Sequence, residues 1–165
     1  MDDLNNIIWK AGLAELKQGY IYEPPSGEYV CLVCGARFCR GRIYPVAENL
    51  YEAQKAAEIH MQQEHGSMFA FLLAMDKKYT GLTEHQKAIL TAFFQGQNDK
   101  EIALMMDNGN TSTIRNQRFA FRERAKQAKI FLAIMELLED HLAAEDQFVE
   151  IPRKASMVDE RYAIT

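Results

Sequence analysis

The sequence predicts a mainly α protein with a small ββα section, a helix-turn-helix bundle and a long C-terminal helix. Three observations favour this fold class. Short β-prone segments lie between residues 28 and 46, together with all three cysteines of the chain. Downstream of residue 67, apolar residues recur at helical spacing. The pattern from Thr111 to Ala144 contains neither Gly nor Pro, so we expect it to form one long helix.

Residues 1–27 predict an N-terminal helix and a turn. Apolar residues recur at helical spacing within residues 2–18, namely Leu4, Ile7, Ile8, Ala11 and Leu16. Acidic residues at positions 2 and 3 suit the start of this helix, and Gly19 suits its end. Because "YEPPSG" at 22–27 is rich in turn-forming residues, we expect a break before residue 28.

Residues 28–66 predict the ββα section. The segments "EYVCLV" and "RIYPV" are short and β-prone, and "ENLYEAQKAAEIHMQQEH" is a good helix former that ends at Gly66. Cys31 and Cys34 form a C-x2-C pair in the first strand region. After 25 further residues, His60 and His65 follow as H-x4-H at the end of the helix.

This spacing predicts a zinc site with the ligands Cys31, Cys34, His60 and His65. A C-x2-C turn directs two thiolates to one point, and two imidazoles complete a tetrahedron. Residues five apart on an ideal α-helix lie about 140° apart, so we expect a loosened last turn, which Gly66 permits. Four protein ligands leave no open coordination position, so we expect a structural ion and no enzyme activity.

The ligands and two nearby aromatic positions resemble the Cys-Cys-His-His zinc finger family, in Tyr29, Cys31, Cys34, Phe38, His60 and His65. This chain has 25 residues where the family has about a dozen, so only the metal ligands are transferred. The alternatives are a redox pair, core cysteines with histidines at a solvated helix end, or a catalytic zinc. Cys39 is either a substitute ligand or a spare thiol.

Residues 67–126 predict the helix-turn-helix bundle. A first helix is expected over residues 67–78. Capping pairs mark the starts of two more helices, "LTEHQKAILTAFFQG" and "DKEIALMM", in Thr83 with Gln86 and Asn98 with Glu101. Gly96 ends the first of them, and its expected apolar face consists of Ile89, Leu90, Phe93 and Phe94. The segment "DNGN" then predicts a turn before the long helix.

Several stretches within residues 82–126 resemble the LuxR-type helix-turn-helix family of bacterial transcription regulators. They are "LT" at 82–83, "AIL" at 88–90, Gly96, "NDKEIA" at 98–103, 113–115 and 121–124. The resemblance implies that the helix over about 111–126 enters the major groove of double-stranded DNA. The turn is one residue longer than in the family. The sequence break that ends the family's third helix is missing, because this chain continues as "RAKQAKIFLAIMELLE".

The expected recognition helix turns Ile114, Phe121 and Ala125 inward and exposes Arg and Asn side chains, which suit guanine and adenine edges. Candidate DNA contacts are Lys100, Thr111, Ser112, Arg115, Asn116, Arg118 and Arg122. Residues 111–129 carry a net charge of +5, whereas the whole chain carries −4. A concentrated basic stripe favours one anionic partner, although a solvated helix face is the alternative.

Residues 127–145 predict a helix that forms a homodimer. From Phe121 onward, apolar residues recur as in a coiled-coil seam, in Phe121, Ala125, Ala128, Leu132, Met135, Leu138 and Leu142. Packing of this face on the chain's own N-terminal helices is the alternative. Residues 146–165 lack a clear period and predict a linker or the start of a further domain. Together with the other sections, they resemble a group of Gram-positive regulators with an additional C-terminal domain.

The composition argues against a membrane protein. No apolar run is long enough to span a bilayer, and no secretory signal precedes residue 28. We therefore expect a cytoplasmic protein, in which an odd number of cysteines stays reduced. The sequence favours a DNA-binding transcription regulator. The alternative is a zinc-stabilised protein-interaction or RNA-binding adaptor without sequence-specific DNA readout.

Overall fold

The computed structural model describes residues 2–106 and 110–148, with side chains described over 6–106 and 110–144. It divides into two compact units, Met1–Gln97 and Asn98–Thr165. The described chain is mostly helical, with small antiparallel sheets and a long C-terminal helix. These features confirm the mainly α fold class. The predicted linker or further domain over 146–165 lies almost entirely outside the described residues.

The N-terminal segment forms two helices, so the prediction of one helix over residues 2–18 was wrong. Helix α1 spans Asp2–Lys10 and helix α2 spans Leu13–Gln18. Gly12 separates them in an extended conformation, with φ −69° and ψ 167°. Its N–H donates to Oε2 of Glu15 at 2.8 Å and so starts the second helix. Glycine has low helix propensity, which makes this interruption inexpensive.

Within the described residues the chain has five strands, which include the two predicted ones and three more. Strands β1 (Tyr20–Glu23), β2 (Glu28–Cys31) and β3 (Arg37–Cys39) form one antiparallel sheet in that order. Strands β4 (Ile43–Val46) and β5 (Asn49–Glu52) form a separate hairpin. The segment "YEPPSG" is therefore a hairpin turn together with strand ends, and residues 49–52 are extended instead of helical. Pairing with Ile43–Val46 overrides the local helix propensity of this segment.

The helix of the ββα section begins at Ala53, five residues later than expected. Helix α3 spans Ala53–His60, and a π-helical turn continues it over Met61–His65. Helix α3 packs against β2 and β3 and against the β4–β5 hairpin. Three alanines on its inner face are buried, Ala53, Ala56 and Ala57, and they allow close approach of the helix to the strands.

Three further helices complete the first unit: α4 (Met68–Ala74), α5 (Lys77–Thr80) and α6 (Glu84–Phe94). The capping box predicted at the start of α6 is confirmed, because Oγ1 of Thr83 accepts from the Gln86 N–H at 3.2 Å. The expected single helix over 67–78 is divided at Met75. Phe94 was expected on the apolar face of α6, but it is exposed and stacks on Phe69 with ring centroids 4.1 Å apart.

The second unit contains helix α7 (Asp99–Met106) and helix α8 (Thr111–Phe148). The 38 residues of α8 correspond to a length of about 57 Å. Helices α7 and α8 pack together through buried Ile102, Ala103 and Ile114. Within the part of the chain that the structure describes, no helix has the length and apolar character required to cross a membrane.

Candidate metal centre and nucleic-acid interface

Two pairs of residues from different parts of the first unit converge on one point. Cys31 is the last residue of β2, and Cys34 lies in the turn that follows. His60 ends α3, and His65 ends the π-helical turn. The four ligand atoms all lie within 4.8 Å of one another. The prediction that these residues form one cluster is confirmed, and the cluster could hold a metal ion.

The cysteine pair is held by backbone hydrogen bonds of a tight turn. The Gly35 N–H donates to the Cys31 carbonyl at 2.9 Å, and the Cys31 N–H donates to the Ala36 carbonyl at 2.8 Å. Gly35 has φ 76°, a left-handed conformation that a residue without Cβ adopts at low cost. This turn directs both sulfur atoms to the same side of the β2–β3 connection.

The histidine pair depends on the π-helical turn. In an α-helix, residues five apart lie on different faces, whereas the wider π turn places residues i and i+5 one above the other. Nε2 of His60 and Nε2 of His65 accordingly lie 3.2 Å apart. Gly66 follows with φ 69° and ψ −71°, which ends the turn directly after the second imidazole. The loosened last turn that the sequence predicted is therefore confirmed, and it is a π-helical turn.

The distances between ligand atoms suit a small tetrahedral cation. Sγ of Cys34 lies 3.2 Å from Nε2 of His60 and 3.3 Å from Nε2 of His65. Ligand atoms that are about 2.0–2.3 Å from a tetrahedral ion lie about 3.3–3.8 Å from one another. Two thiolates and two imidazoles are also the donor set that zinc prefers.

The electrostatic environment is consistent with metal binding. Burial lowers the pKa of His60 below its ordinary value, and the adjacent His65 lowers it further. The neutral imidazole, which is the form that binds metals, is therefore favoured. Burial raises the pKa of the Cys31 thiol, although hydrogen bonds from the backbone of Cys34 and Val33 lower it. A divalent cation would stabilise the thiolate and oppose the effect of burial.

The cluster borders a small apolar core. Cys31, Met61 and Met68 are buried together, with Val33, Ala36, Phe71 and Leu72 packed against them. The ring of Phe38 lies 5.4 Å from that of His60. The four residues of the cluster thus join β2 and the turn after it to the end of α3 and the π-helical turn.

Cys39 lies outside the cluster. Its thiol donates to Oε1 of Glu28 at 3.1 Å, in the cross-strand position opposite that residue. Its backbone N–H donates to the hydroxyl oxygen of Tyr44 at 2.6 Å. Of the two alternatives for this residue, the structure supports the spare thiol.

Helices α7 and α8 begin with capping interactions. Oδ1 of Asn98 accepts from the Lys100 and Glu101 N–H groups at 3.0 and 3.1 Å, and the Glu101 carboxylate accepts from the Asn98 N–H at 2.8 Å. This confirms the predicted N-cap. Oδ1 of Asn110 accepts from the Ser112 N–H at 3.0 Å. The predicted turn "DNGN" includes residues 107–109, which lie outside the described residues.

The predicted DNA contacts occupy different environments on these helices. Five are exposed, namely Lys100, Ser112, Arg115, Asn116 and Arg122, and two are partly buried, namely Thr111 and Arg118. Ile114 has 0% exposure, which sets the rotation of α8 and turns its neighbours at positions 115 and 116 to solvent. Nη2 of Arg118 contacts Oδ1 of Asp99 at 2.6 Å and so links α8 to α7.

Phe119 was missed by reasoning from the sequence. Its side chain is 66% exposed, four residues after Arg115 and three after Asn116, on the same helical face. The sequence carried a signal for Phe119, because it stands on the basic side of an amphipathic helix, where a polar residue is expected. An apolar side chain there can contact the methyl group of thymine.

Comparison with protein-family models, curated proteins and solved structures gave no match to this chain. The site is therefore interpreted from its own geometry. The resemblances to zinc fingers and to LuxR-type regulators stay predictions.

Proposed function

We propose that this protein is a DNA-binding transcription regulator with a structural zinc ion. In this proposal, residues 111–126 at the start of α8 lie in the major groove, and α7 supports them. Zinc binds Cys31, Cys34, His60 and His65 and stabilises the first unit. The recognition part of the proposal extends the resemblance to LuxR-type regulators, and the geometry of α7 and α8 supports it.

The orientation of α8 carries the proposal. Ile114 is completely buried, so the adjacent Arg115 and Asn116 are both exposed. Arg and Asn can each make bidentate hydrogen bonds, to guanine and adenine respectively. With Phe119 on the same face, the helix offers hydrogen-bond donors, a hydrogen-bond acceptor and an apolar side chain. Donors, acceptors and the thymine methyl group are the features that distinguish base pairs in the major groove.

A polar cleft beside this face is suited to a phosphate group. It has a volume of about 510 Å³ and is lined by Asn98, Asp99, Lys100, Arg115 and Arg118. Because the Asp99 carboxylate pairs with Arg118, Lys100 and Arg115 remain as the cations available to an anion. Phosphate contacts of this kind position a helix in register without specifying sequence.

The zinc ion is proposed to be structural because four protein ligands fill a tetrahedral shell. The core beside the cluster is small, so metal binding would supply much of the free energy of folding of this section. No position remains for a metal-bound water, and a hydrolytic role is correspondingly disfavoured.

The C-terminal part of α8 is proposed to form a homodimer. Its exposed face is rich in large apolar residues: Ile130, Phe131, Leu132, Ile134, Leu137, Leu138 and Leu142, each between 45% and 70% exposed. The predicted seam residues Leu132, Leu138 and Leu142 belong to this face. Two parallel copies would bury it and place two recognition helices on a palindromic site.

Selection of bound duplexes from a random DNA pool tests the proposed function. The expected result is an enriched palindromic sequence, bound with an affinity that falls as salt concentration rises. Failure to bind any duplex at low salt would contradict the proposal. Since the apolar face of α8 is also compatible with a protein partner, that result would favour the adaptor alternative.

A further inference from the structure

A cavity of about 620 Å³ lies in the first unit, on the side of the β-sheet where β4 and α3 begin. Two tyrosines, two arginines and the first turn of α3 line it, in Tyr22, Tyr29, Arg40, Arg42, Glu52 and Gln54. Neither the metal cluster nor the basic face of α8 includes any of these residues. The cavity therefore requires its own explanation.

One wall of the cavity is aromatic. Tyr22 and Tyr29 are cross-strand neighbours, and their ring centroids lie 4.9 Å apart. The hydroxyl of Tyr29 donates to Oε1 of Gln54 at 3.4 Å, which links the wall to α3. This bond uses the amide oxygen of Gln54, so its amide nitrogen can still donate to a ligand. Stacking on such a wall is tolerant of base identity, because every base has a π-face.

The lining of the cavity also carries positive charge. The side chain of Arg42 makes no ion pair or side-chain hydrogen bond within the region that the structure describes. The hydroxyl of Tyr22 contacts Arg40, whose guanidinium is charged at any physiological pH. Arg37 differs from both, because it pairs with Glu23 at 2.8 Å and with Glu28 at 2.9 Å. Of these three arginines, Arg37 is thus held by two carboxylates and Arg40 contacts Tyr22, while Arg42 remains available to a ligand.

The start of α3 adds to this positive potential. Glu52 is the N-cap residue, and its side chain makes no capping hydrogen bond. Unpaired N–H groups at a helix start favour an anion, and Ala53 and Gln54 of this first turn line the cavity. The carboxylate of Glu52 would repel a simple anion but can accept a hydrogen bond from a sugar hydroxyl or an amino group. A ligand with both an aromatic ring and a phosphate matches all of these groups.

We propose that this cavity binds an unpaired nucleotide, with the base against Tyr22 and Tyr29 and the phosphate beside Arg42 and the first turn of α3. Glu52 then accepts a hydrogen bond from a ribose hydroxyl or an exocyclic amine. The nucleotide is either free or part of a single strand. This inference does not depend on DNA recognition by α8.

Isothermal titration of the zinc-loaded full chain with each of the four nucleoside 5′-monophosphates tests the proposal. Saturable binding is expected. It should be tighter than the binding of the nucleoside alone or of inorganic phosphate, because the tyrosines contact the base and Arg42 contacts the phosphate. Absence of saturable binding by every mononucleotide and by a single-stranded tetranucleotide would overturn the proposal. Phosphate binding as tight as nucleotide binding would also overturn it.

Substitutions locate the binding site. Arg42→Ala is expected to weaken nucleotide binding about tenfold, the loss expected for one charge-assisted hydrogen bond. Arg42→Lys should retain part of the affinity, because it keeps the positive charge. Lys55→Ala is the matched control, since Lys55 also belongs to the first turn of α3 but pairs with Glu58 and does not line the cavity. Unchanged affinity of Arg42→Ala for both the nucleotide and the tetranucleotide would refute the site.

Comparison of the mononucleotide with the tetranucleotide distinguishes the two sources of the ligand. Equal affinities would assign the cavity to a free nucleotide, and tighter binding of the tetranucleotide would assign it to a strand. Arg115→Ala separates this inference from the proposed function, because it should weaken duplex binding and leave mononucleotide binding unchanged. Loss of mononucleotide binding in Arg115→Ala would place the nucleotide on α8 and overturn the proposal.

Discussion

Nε2 of His60 and Nε2 of His65 lie 3.2 Å apart, although the two residues are five positions apart in the chain. A regular α-helix would place them on different faces. The π-helical turn over Met61–His65 brings them together, and π turns of this kind frequently occur at functional sites. The local backbone is thus shaped for a ligand that both imidazoles share, and Cys34 supplies a third donor atom at a similar distance.

Cys34→Ser should remove the metal. The wild-type chain is expected to contain about one zinc ion, and replacement of one thiolate by a hydroxyl removes a strong ligand. Elemental analysis of purified protein measures the metal content. Cys39→Ser is the matched control, because this thiol contacts Glu28 and lies outside the cluster. Zinc retained by Cys34→Ser, or lost from Cys39→Ser, would show that the ligand assignment is wrong.

Chelation of zinc should unfold residues 28–66 and leave α8 helical. The core around the cluster is small, so the free energy of metal binding contributes directly to folding there. Amide hydrogen exchange measures both regions in one experiment, with loss of protection expected in β2, β3 and α3. Readdition of zinc should restore it. Unchanged protection in α3 after complete removal of the metal would mean that this section folds without it.

Arg115→Ala should weaken binding of duplex DNA and reduce base discrimination by about 1–3 kcal/mol. The side chain is exposed and lines the cleft between α7 and α8. Fluorescence anisotropy with the selected duplex and with single-base variants measures the change. Lys129→Ala removes the same charge from the same helix outside residues 111–126, and its base preferences should match the wild type. Equal discrimination by Arg115→Ala and wild type would exclude base readout by this residue.

The Asp99–Arg118 ion pair should couple α7 to α8. The two side chains are partly exposed, so we expect a coupling energy of about 0.5–1 kcal/mol. A double-mutant cycle with Asp99→Ala and Arg118→Ala, measured by urea unfolding, isolates this term. The DNA affinities of the same two single variants, measured by fluorescence anisotropy, test whether Arg118 contacts DNA directly. Loss of DNA affinity in Arg118→Ala but not in Asp99→Ala would assign it a direct contact, and equal losses would assign it a positioning role.

Ile134→Asp should dissociate the proposed homodimer. Ile134 is 55% exposed and lies within the apolar face of α8, where burial of a carboxylate would be costly. Sedimentation equilibrium should give the mass of two chains for the wild type and of one chain for the variant. Glu136→Gln, on the charged side of the same helix, should leave the dimer intact. A monomeric wild-type chain at the concentrations that bind DNA would contradict the dimer.

Much of the candidate metal site could be predicted from the sequence, because ligand chemistry depends on residue type and short spacings. The pair Cys31–Cys34 and the pair His60–His65 needed only a turn and a helix end to converge. The loosened last turn followed from a simple angular argument. The caps at Thr83 and Asn98 were equally predictable, since each is satisfied within three residues. The long helix α8 followed from the absence of Gly and Pro.

Other features depend on partners in other strands and helices. Residues 49–52 have the composition of a helix start, yet they form a strand because Ile43–Val46 offers hydrogen bonds to pair with. Arg37 and Arg42 are five positions apart in the chain, and only the position of Glu23 and Glu28 makes Arg37 a structural residue. Arg118 differs from Arg115 in the same way, because Asp99 lies beside it.

The sequence by itself therefore determined the Cys/His cluster that could hold a metal ion, the helix caps and the long C-terminal helix, since local spacing and residue chemistry are sufficient for each. Only the tertiary structure decided which strands pair, which arginines stay available, and that two tyrosines and two arginines line one cavity. Those outcomes depend on contacts between different strands and helices, and no local pattern records which element will supply the partner.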